Sequence, residues 1–335
     1  MLARSSTLRH PSGTTLETPL LVPSFSSKGL QFDKKGLSEV TDALRTTAEV
    51  LTECMLVSAY DIFHEHIPPP DQFPCITEIT FVDSGGYETA DGYDFSAVLR
   101  YPYPTENWDE PSLRSVLDSW PDHIPAVFVN FDCGSLRRPL KDQIAAAREL
   151  FAPYPQHLHA IILKPETLEQ RYLEISSILG HVDELGQFDI VGVTEKELGK
   201  SLLSRMHNVA RIRRALDEAK INLPLQVFGS LDPLTSPLYF LAGAEIFDGL
   251  TWLRYSYLGG TAIYRHNYGA LCVGIHASDD LVKANALFNT IYYLQGLKYQ
   301  MKDFLLEQDF HKFEHHSELL SKSYDTLRTE LGGRI

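Results

Sequence analysis

The chain reads as an α/β protein, a closed (β/α)8 TIM barrel with a C-terminal helical extension. Three observations predict this. Eight short, near-continuous apolar runs alternate with longer helix-periodic stretches, which is how strands buried on both faces of a parallel sheet are written. Each run is followed closely by a polar residue or a glycine at its C-terminal end, the end at which barrel active sites are built. No G-x-G-x-x-G motif follows the first run, which counts against the alternative, a doubly wound dinucleotide-binding sheet.

The runs are Leu20–Pro23, Met55–Ala59, Ile79–Val82, Ala126–Phe131, His159–Leu163, Phe188–Val193, Leu225–Phe228 and Glu245–Phe247. Helical spacing of apolar residues is clearest in Leu37–Thr52, Leu140–Phe151, Thr167–Leu179, Lys200–Ala219 and Thr235–Ala242. Ser24, Tyr60, Asp83, Asp132, Lys164, Thr194, Gly229 and Asp248 follow the successive runs and are expected to share one face. Pro68–Pro70 marks a loop. Residues 1–279 are assigned to the barrel and 280–335 to the extension, opened by a long helix over Asp280–Leu306. Its Phe288, Tyr292, Tyr293 and Leu297 are expected to pack on the barrel.

The 335 residues are 44% hydrophobic and 22% charged, an ordinary globular balance. No apolar run approaches the roughly 20 residues that span a bilayer. The start, Met1–Gly13, is polar and basic without an apolar core. Cys54, Cys75, Cys133 and Cys272 are scattered, as in a reducing compartment, so a cytoplasmic protein is expected. The net charge of −14 opposes generic, charge-driven binding of nucleic acid. Two basic clusters stand against that background: Arg137, Arg138 and Lys141, and Arg205, Arg211, Arg213 and Arg214. Each is either a solvated helix face or a local phosphate holder.

Two runs end in an aspartate with glycine beside it: Phe81-Val82-Asp83-Ser84-Gly85-Gly86-Tyr87 and Ile246-Phe247-Asp248-Gly249. Either aspartate alone is readily a cap for the turn that follows. As a pair at the ends of buried strands, they suit a division of labour between nucleophile and proton carrier.

With these segments in view, the chain resembles the tRNA-guanine transglycosylase family, the queuine- and archaeosine-type enzymes, and the relatives that insert 7-deazaguanines into DNA. Phe81–Tyr87 is similar to the family's Thr-Asp-Ser-Gly-Gly-Phe/Tyr signature. Asn130–Cys133 resembles its Asp-Glu-Cys segment, and Gln226–Gly229 with Asp232-Pro233 its Leu-Met-Gly-Val-Gly-x-Pro strand. Ala242–Asp248 resembles Gly-x-Asp-x-Phe-Asp, followed by Thr251–Arg254. The resemblance implies a base exchange in which Asp248 is the nucleophile and Asp83 the general acid and base. It implies a base pocket of Ser84, Gly85, Tyr87, Asp132, Lys164, Gly192 and Gly229. Arg137, Arg138, Arg205, Arg213, Arg214 and Arg254 are the candidate phosphate contacts.

The departures carry information too. The family's Cys-x-Cys-x2-Cys zinc site is absent, and Lys164 stands where the family has glutamine. No metal or other cofactor is expected, and His311, His315 and His316, spaced for one helix face, are a weak metal candidate. The zinc subdomain engages tRNA in the family, so DNA is slightly favoured over tRNA as the partner that receives the 7-deazaguanine base. A homodimer or a partner subunit is also allowed. The rival readings are a non-catalytic partner subunit and an N-glycoside hydrolase on the same barrel.

Overall fold

The structure is a computed structural model that describes residues 1–32, 38–74, 77–90, 95–96, 105–132 and 137–333. Strands β1 (Thr7–Arg9) and β2 (Thr15–Glu17) form an antiparallel hairpin. The next eight strands are β3 (Leu20–Phe25), β4 (Cys54–Ser58), β5 (Ile79–Asp83), β6 (Ala126–Val129), β7 (Leu158–Leu163), β8 (Ile190–Thr194), β9 (Leu225–Phe228) and β10 (Ile246–Gly249). They pair in parallel, each with the next, and β10 returns to β3 to close the barrel. A second hairpin, β11 (Ser256–Leu258) and β12 (Thr261–Ile263), follows.

The strand period of two decides which residues fill the barrel. Leu20 and Val22, Cys54 and Leu56, Ile79 and Phe81, and Ala160 and Ile162 belong to one buried cluster. Leu8 and Leu16 of the first hairpin join that cluster, and Leu20 N donates to Glu245 O at 2.9 Å. The hairpin therefore closes the barrel at the N-terminal ends of its strands. The open end is the one where β5 and β10 deliver their aspartates.

The helices expected over Leu140–Phe151, Lys200–Ala219 and Thr235–Ala242 are present as Leu140–Phe151, Leu202–Glu218 and Thr235–Leu241. Two others differ. Within Leu37–Thr52 the helix covers only Val40–Thr47, and Leu37 lies outside the described residues. Within Thr167–Leu179 it begins only at Ile175. There the Gln170 side chain accepts from the backbone N–H groups of Glu166 and Thr167 at 2.7 and 3.1 Å, a local turn that competes with helix. Leu168, part of the apolar spacing, is 70% exposed.

A helix over Asp279–Glu307 opens the extension, and Ser317–Glu330 ends it. The first buries Val282, Leu287, Ile291, Leu294, Leu297, Met301 and Phe304. Tyr292 points outward at 58% exposure, so only part of the expected aromatic stripe packs inward. His311 sits in a 3-10 turn and His316 has φ 60° ahead of the last helix, so the three histidines do not share a helix face. His316 Nε2 instead pairs with Gly260 O at 2.9 Å. Among the described residues no group of histidine, cysteine, aspartate or glutamate side chains could hold a metal ion. No helix among them is long and apolar enough to cross a membrane.

Candidate active site

At the open end lies a cavity of about 940 Å³, counting the space of its mouth. Ser24, Ser58, Asp83, Lys164, Thr194 and Asp248 line it, one from each of six strand ends. Ser58, Asp83 and Asp248 continue the inward parity of Cys54 and Leu56, Ile79 and Phe81, and Ile246. Ser58 and Asp83 are also register partners across β4 and β5.

Asp248 is 5% exposed and held from three sides. Gln226 Nε2 donates to its Oδ2 at 2.7 Å, while Ser24 Oγ and Gly229 N donate to Oδ1, each at 3.4 Å. Burial raises its pKa to about 7, and the three donors work in the opposite direction. It is thus an oriented carboxyl poised to ionise near neutrality.

Asp83 differs in kind. Among the described residues no side chain hydrogen-bonds its carboxyl, although it lines the same cavity. Burial, then the charges of Asp132, Glu88 and Asp248, push its pKa well above the carboxylate range, with Lys164 pulling against them. A raised pKa of that origin suits a carboxyl to carrying and donating a proton.

The opposite wall is a four-charge cluster. Lys164 Nζ lies 3.0 Å from Asp132 Oδ2 and 3.2 Å from Glu197 Oε2, and donates to Thr194 Oγ1 at 2.8 Å. Arg137 Nη2 reaches Glu197 Oε1 at 3.1 Å. Burial lowers the Lys164 pKa, but Glu197 and Asp132 more than offset it, so the ammonium stays charged. Ser84 Oγ donates to Asp132 Oδ1. Asp132 and Lys164 make a hydrogen-bonding edge suited to a polar heterocycle, whereas Ser84, fully buried, and Gly85, both expected in the base pocket, do not line the cavity.

The Ser84–Gly86 turn requires its glycines. Gly85 has φ +80°, and a Cβ there would stand 2.7 Å from Tyr60 Cβ and 2.8 Å from Trp108 Nε1. A Cβ on Gly86 would come within 2.1 Å of Asp132 Oδ1. Gly86→Ala should therefore cost about 1–3 kcal/mol of stability, as overpacking does, seen as a lower melting temperature. Asp132→Ala in the same chain should recover most of that loss. An unchanged melting temperature for Gly86→Ala alone would contradict the close contact.

The remaining expected residues divide. Tyr87 lines the cavity; its hydroxyl accepts from Arg254 Nη2 at 2.8 Å, and Lys28 Nζ lies 4.7 Å from its ring centre. Gly229 lines the cavity with φ +81°. Gly192 does not line it: a Cβ there would meet Phe228 Cε2 at 2.4 Å, so this glycine makes room for the Phe228 ring, which does face the cavity. Tyr60 turns away, its hydroxyl accepting from Glu106 N at 2.8 Å.

Of the arginines, Arg137 is in the cavity wall, and Arg254 also donates to Ser96 Oγ at 2.7 Å. Arg205 donates to Tyr239 Oη at 2.8 Å and lies over Phe95. Arg138 is half-buried outside the lining. Arg213 corrects the sequence reading: it is fully buried and donates to Leu223 O at 2.7 Å and Ile221 O at 3.2 Å. It also pairs with Asp217 at 2.8 Å and Glu245 at 3.5 Å. Leu223 and Glu245 precede β9 and β10, so Arg213 belongs to the closed end and is inaccessible to a polyanion. Its neighbour Arg214 is half-buried on the same helix, with Nη2 buried and unpartnered.

Sequence reasoning passed over Ser58, Glu88 and Glu197. Strand parity with Cys54 and Leu56 would have identified Ser58. Glu197 lies in a 3-10 turn past β8 and carries no comparable signal. No protein-family model matches the chain, and no curated protein matches it.

Proposed function

We propose that the chain is a base-exchange transglycosylase, replacing guanine in nucleic acid by a 7-deazaguanine derivative, with DNA slightly favoured over tRNA. The observation that carries this reading is the unlike pair of carboxyls in one cavity: Asp248 fixed by three donors, and Asp83, to which no described side chain hydrogen-bonds, with its pKa raised by burial and neighbouring carboxylates. The ionised Asp248 attacks the anomeric carbon of the target nucleotide. The glycosidic bond breaks as Asp83 delivers its proton to the departing guanine. A covalent glycosyl–aspartate remains, and the incoming base, deprotonated by Asp83, displaces it with net retention. Asp132 and Lys164 present acceptor and donor to the polar edge of the base, and Phe228 offers an apolar face. The target nucleotide must leave its stack to reach the cavity, which favours loops and single strands.

The test is exchange of isotopically labelled guanine into a DNA hairpin and into tRNA, with intact-mass detection of a protein–nucleic acid adduct. Exchange into either polymer, with an adduct that survives denaturation, is the expected result. Absence of both adduct and exchange would overturn the reading, and release of free guanine without incorporation would favour the hydrolase.

A further inference from the structure

The helix over Asp279–Glu307 is apolar on two faces. One packs on the barrel. The other carries Leu281, Phe288, Tyr292, Tyr299 and Leu306, which fall in one narrow stripe at the helical repeat of 3.6 residues per turn. Leu281, Tyr292, Tyr299 and Leu306 are each more than half exposed, Leu306 at 82%. A helix apolar all round is ordinarily covered on both sides. Gly296 lies on this face beside Tyr292 and Tyr299, at helical spacings of four and three. A Cβ on Gly296 would meet nothing within 4 Å. Its own chain therefore gives no reason for a residue that weakens a helix interior. Bare backbone between two tyrosines is a notch that suits a side chain from outside.

The stripe complements itself when a second copy is laid against it head to tail. Pairing Leu281 with Leu306 sets Phe288 opposite Tyr299 and Asn285 opposite Lys302, and it brings Tyr292 beside Gln295 and over the Gly296 notch. Each contact then occurs twice about one two-fold axis. A parallel arrangement would instead oppose Lys302 to Lys302 and Asp303 to Asp303, and stack one notch on the other. Gln295 and Lys302 border the stripe, bonded to Val50 O at 3.2 Å and Glu17 at 3.3 Å. Charge permits the contact: from Leu281 to Leu306 stand Lys283, Lys298 and Lys302 with a single acid, Asp303, in a chain whose net charge is −14. The stripe runs about 38 Å. Its apolar side chains and their borders bring roughly 800 Å² per chain within reach, the size of a standard interface.

We propose that this helix face is the interface of a homodimer, two copies joined antiparallel along Leu281–Leu306 with each Tyr292 seated on the Gly296 of the other. The interface stands whether or not the cavity exchanges bases. Burying the tyrosines and leucines supplies the driving force, and the missing Cβ at Gly296 lets the two helices approach at the axis.

Sedimentation velocity of the full-length chain should show a species of twice the chain mass, and Tyr292→Glu with Tyr299→Glu should return it to monomer. Gly296→Leu, which fills the notch, should raise the dissociation constant about tenfold or more. Gly296→Ala should raise the melting temperature of the dissociated chain, because alanine favours helix, and still weaken the dimer. Orientation is read by cross-linking in a Cys272→Ser chain, which removes an exposed thiol. A short bismaleimide should join Leu281→Cys to Leu306→Cys in a mixture of the two variants, and neither to itself, with the linked peptides identified by mass spectrometry. A monomer at every concentration, a dimer indifferent to Gly296→Leu, or Leu281→Cys joined to itself overturns the proposal. Should the double glutamate variant aggregate, the cross-link and Gly296→Leu decide.

Discussion

Replacing Asp248 by asparagine is expected to abolish base exchange and the covalent adduct while making the protein more stable in mild alkali. The amide is a poor nucleophile, so both activities vanish together. The stability effect follows from linkage. The folded-state pKa of Asp248 is about 7, whereas an unfolded aspartate titrates near pH ~3.9. Between those values the folded chain binds the extra proton, so this residue's contribution to stability declines as pH rises through the window. Asparagine carries no such penalty and can keep a hydrogen bond to Gln226. The variant should thus gain on the order of 2–4 kcal/mol over the wild type at pH ~8 and little at pH ~4. Parallel denaturant titrations at the two pH values measure it. Equal differences at both would mean that Asp248 is not buried in its ionised form. Exchange by the wild type should follow a bell-shaped pH dependence, rising as Asp248 ionises and falling as Asp83 loses its proton.

The second large effect is expected at Arg213. Its guanidinium ties Leu223 and Ile221 to Glu245 at the closed end, and its stem passes over Gly243, where a Cβ would lie 2.6 Å from Arg213 Cγ. Removing it leaves buried Glu245 with Arg4 at 3.7 Å and the Thr18 hydroxyl at 3.0 Å, and breaking a buried pair in this way typically costs about 3–5 kcal/mol. Arg213→Met, which keeps the stem, should lower the melting temperature by roughly 10 °C. The slope of nucleic-acid affinity against salt should stay unchanged. A stable variant with a shallower slope would return Arg213 to the phosphate-binding surface.

The contrast between these two residues shows where the sequence is legible. Asp248 could be read because a strand's length, its β-branched content and the glycine after its last residue are local signals. Barrel closure then fixed which end the aspartates share. Arg213 could not be read, because a helix of moderate amphipathicity gives the same spacing whether an arginine meets solvent or the carbonyls ending a neighbouring loop. Gly192 failed for a related reason: the side chain that needs its missing Cβ, Phe228, comes from the adjacent strand. The stretch before Ile175 was misjudged because Gln170 and Glu174 bond to nearby backbone N–H groups, a choice that apolar spacing does not encode. The four-charge wall needed three separate strand ends to meet; Asp132, Lys164 and Arg137 were each named from the sequence, but not Glu197, nor their pairing.

Closure of the barrel also orders events in the life of the molecule. β3 is the first barrel strand to be made and β10 the last, yet they are hydrogen-bonded neighbours. Until β10 leaves the ribosome, β3 presents an unpaired edge to every other nascent chain, the kind of edge that invites strand-to-strand association. The wall bearing Asp248 is added when β10 pairs, so no translation product that stops short of β10 holds both carboxyls of the cavity. The strongly acidic composition, with a net charge of −14, gives such unfinished chains mutual repulsion during the wait.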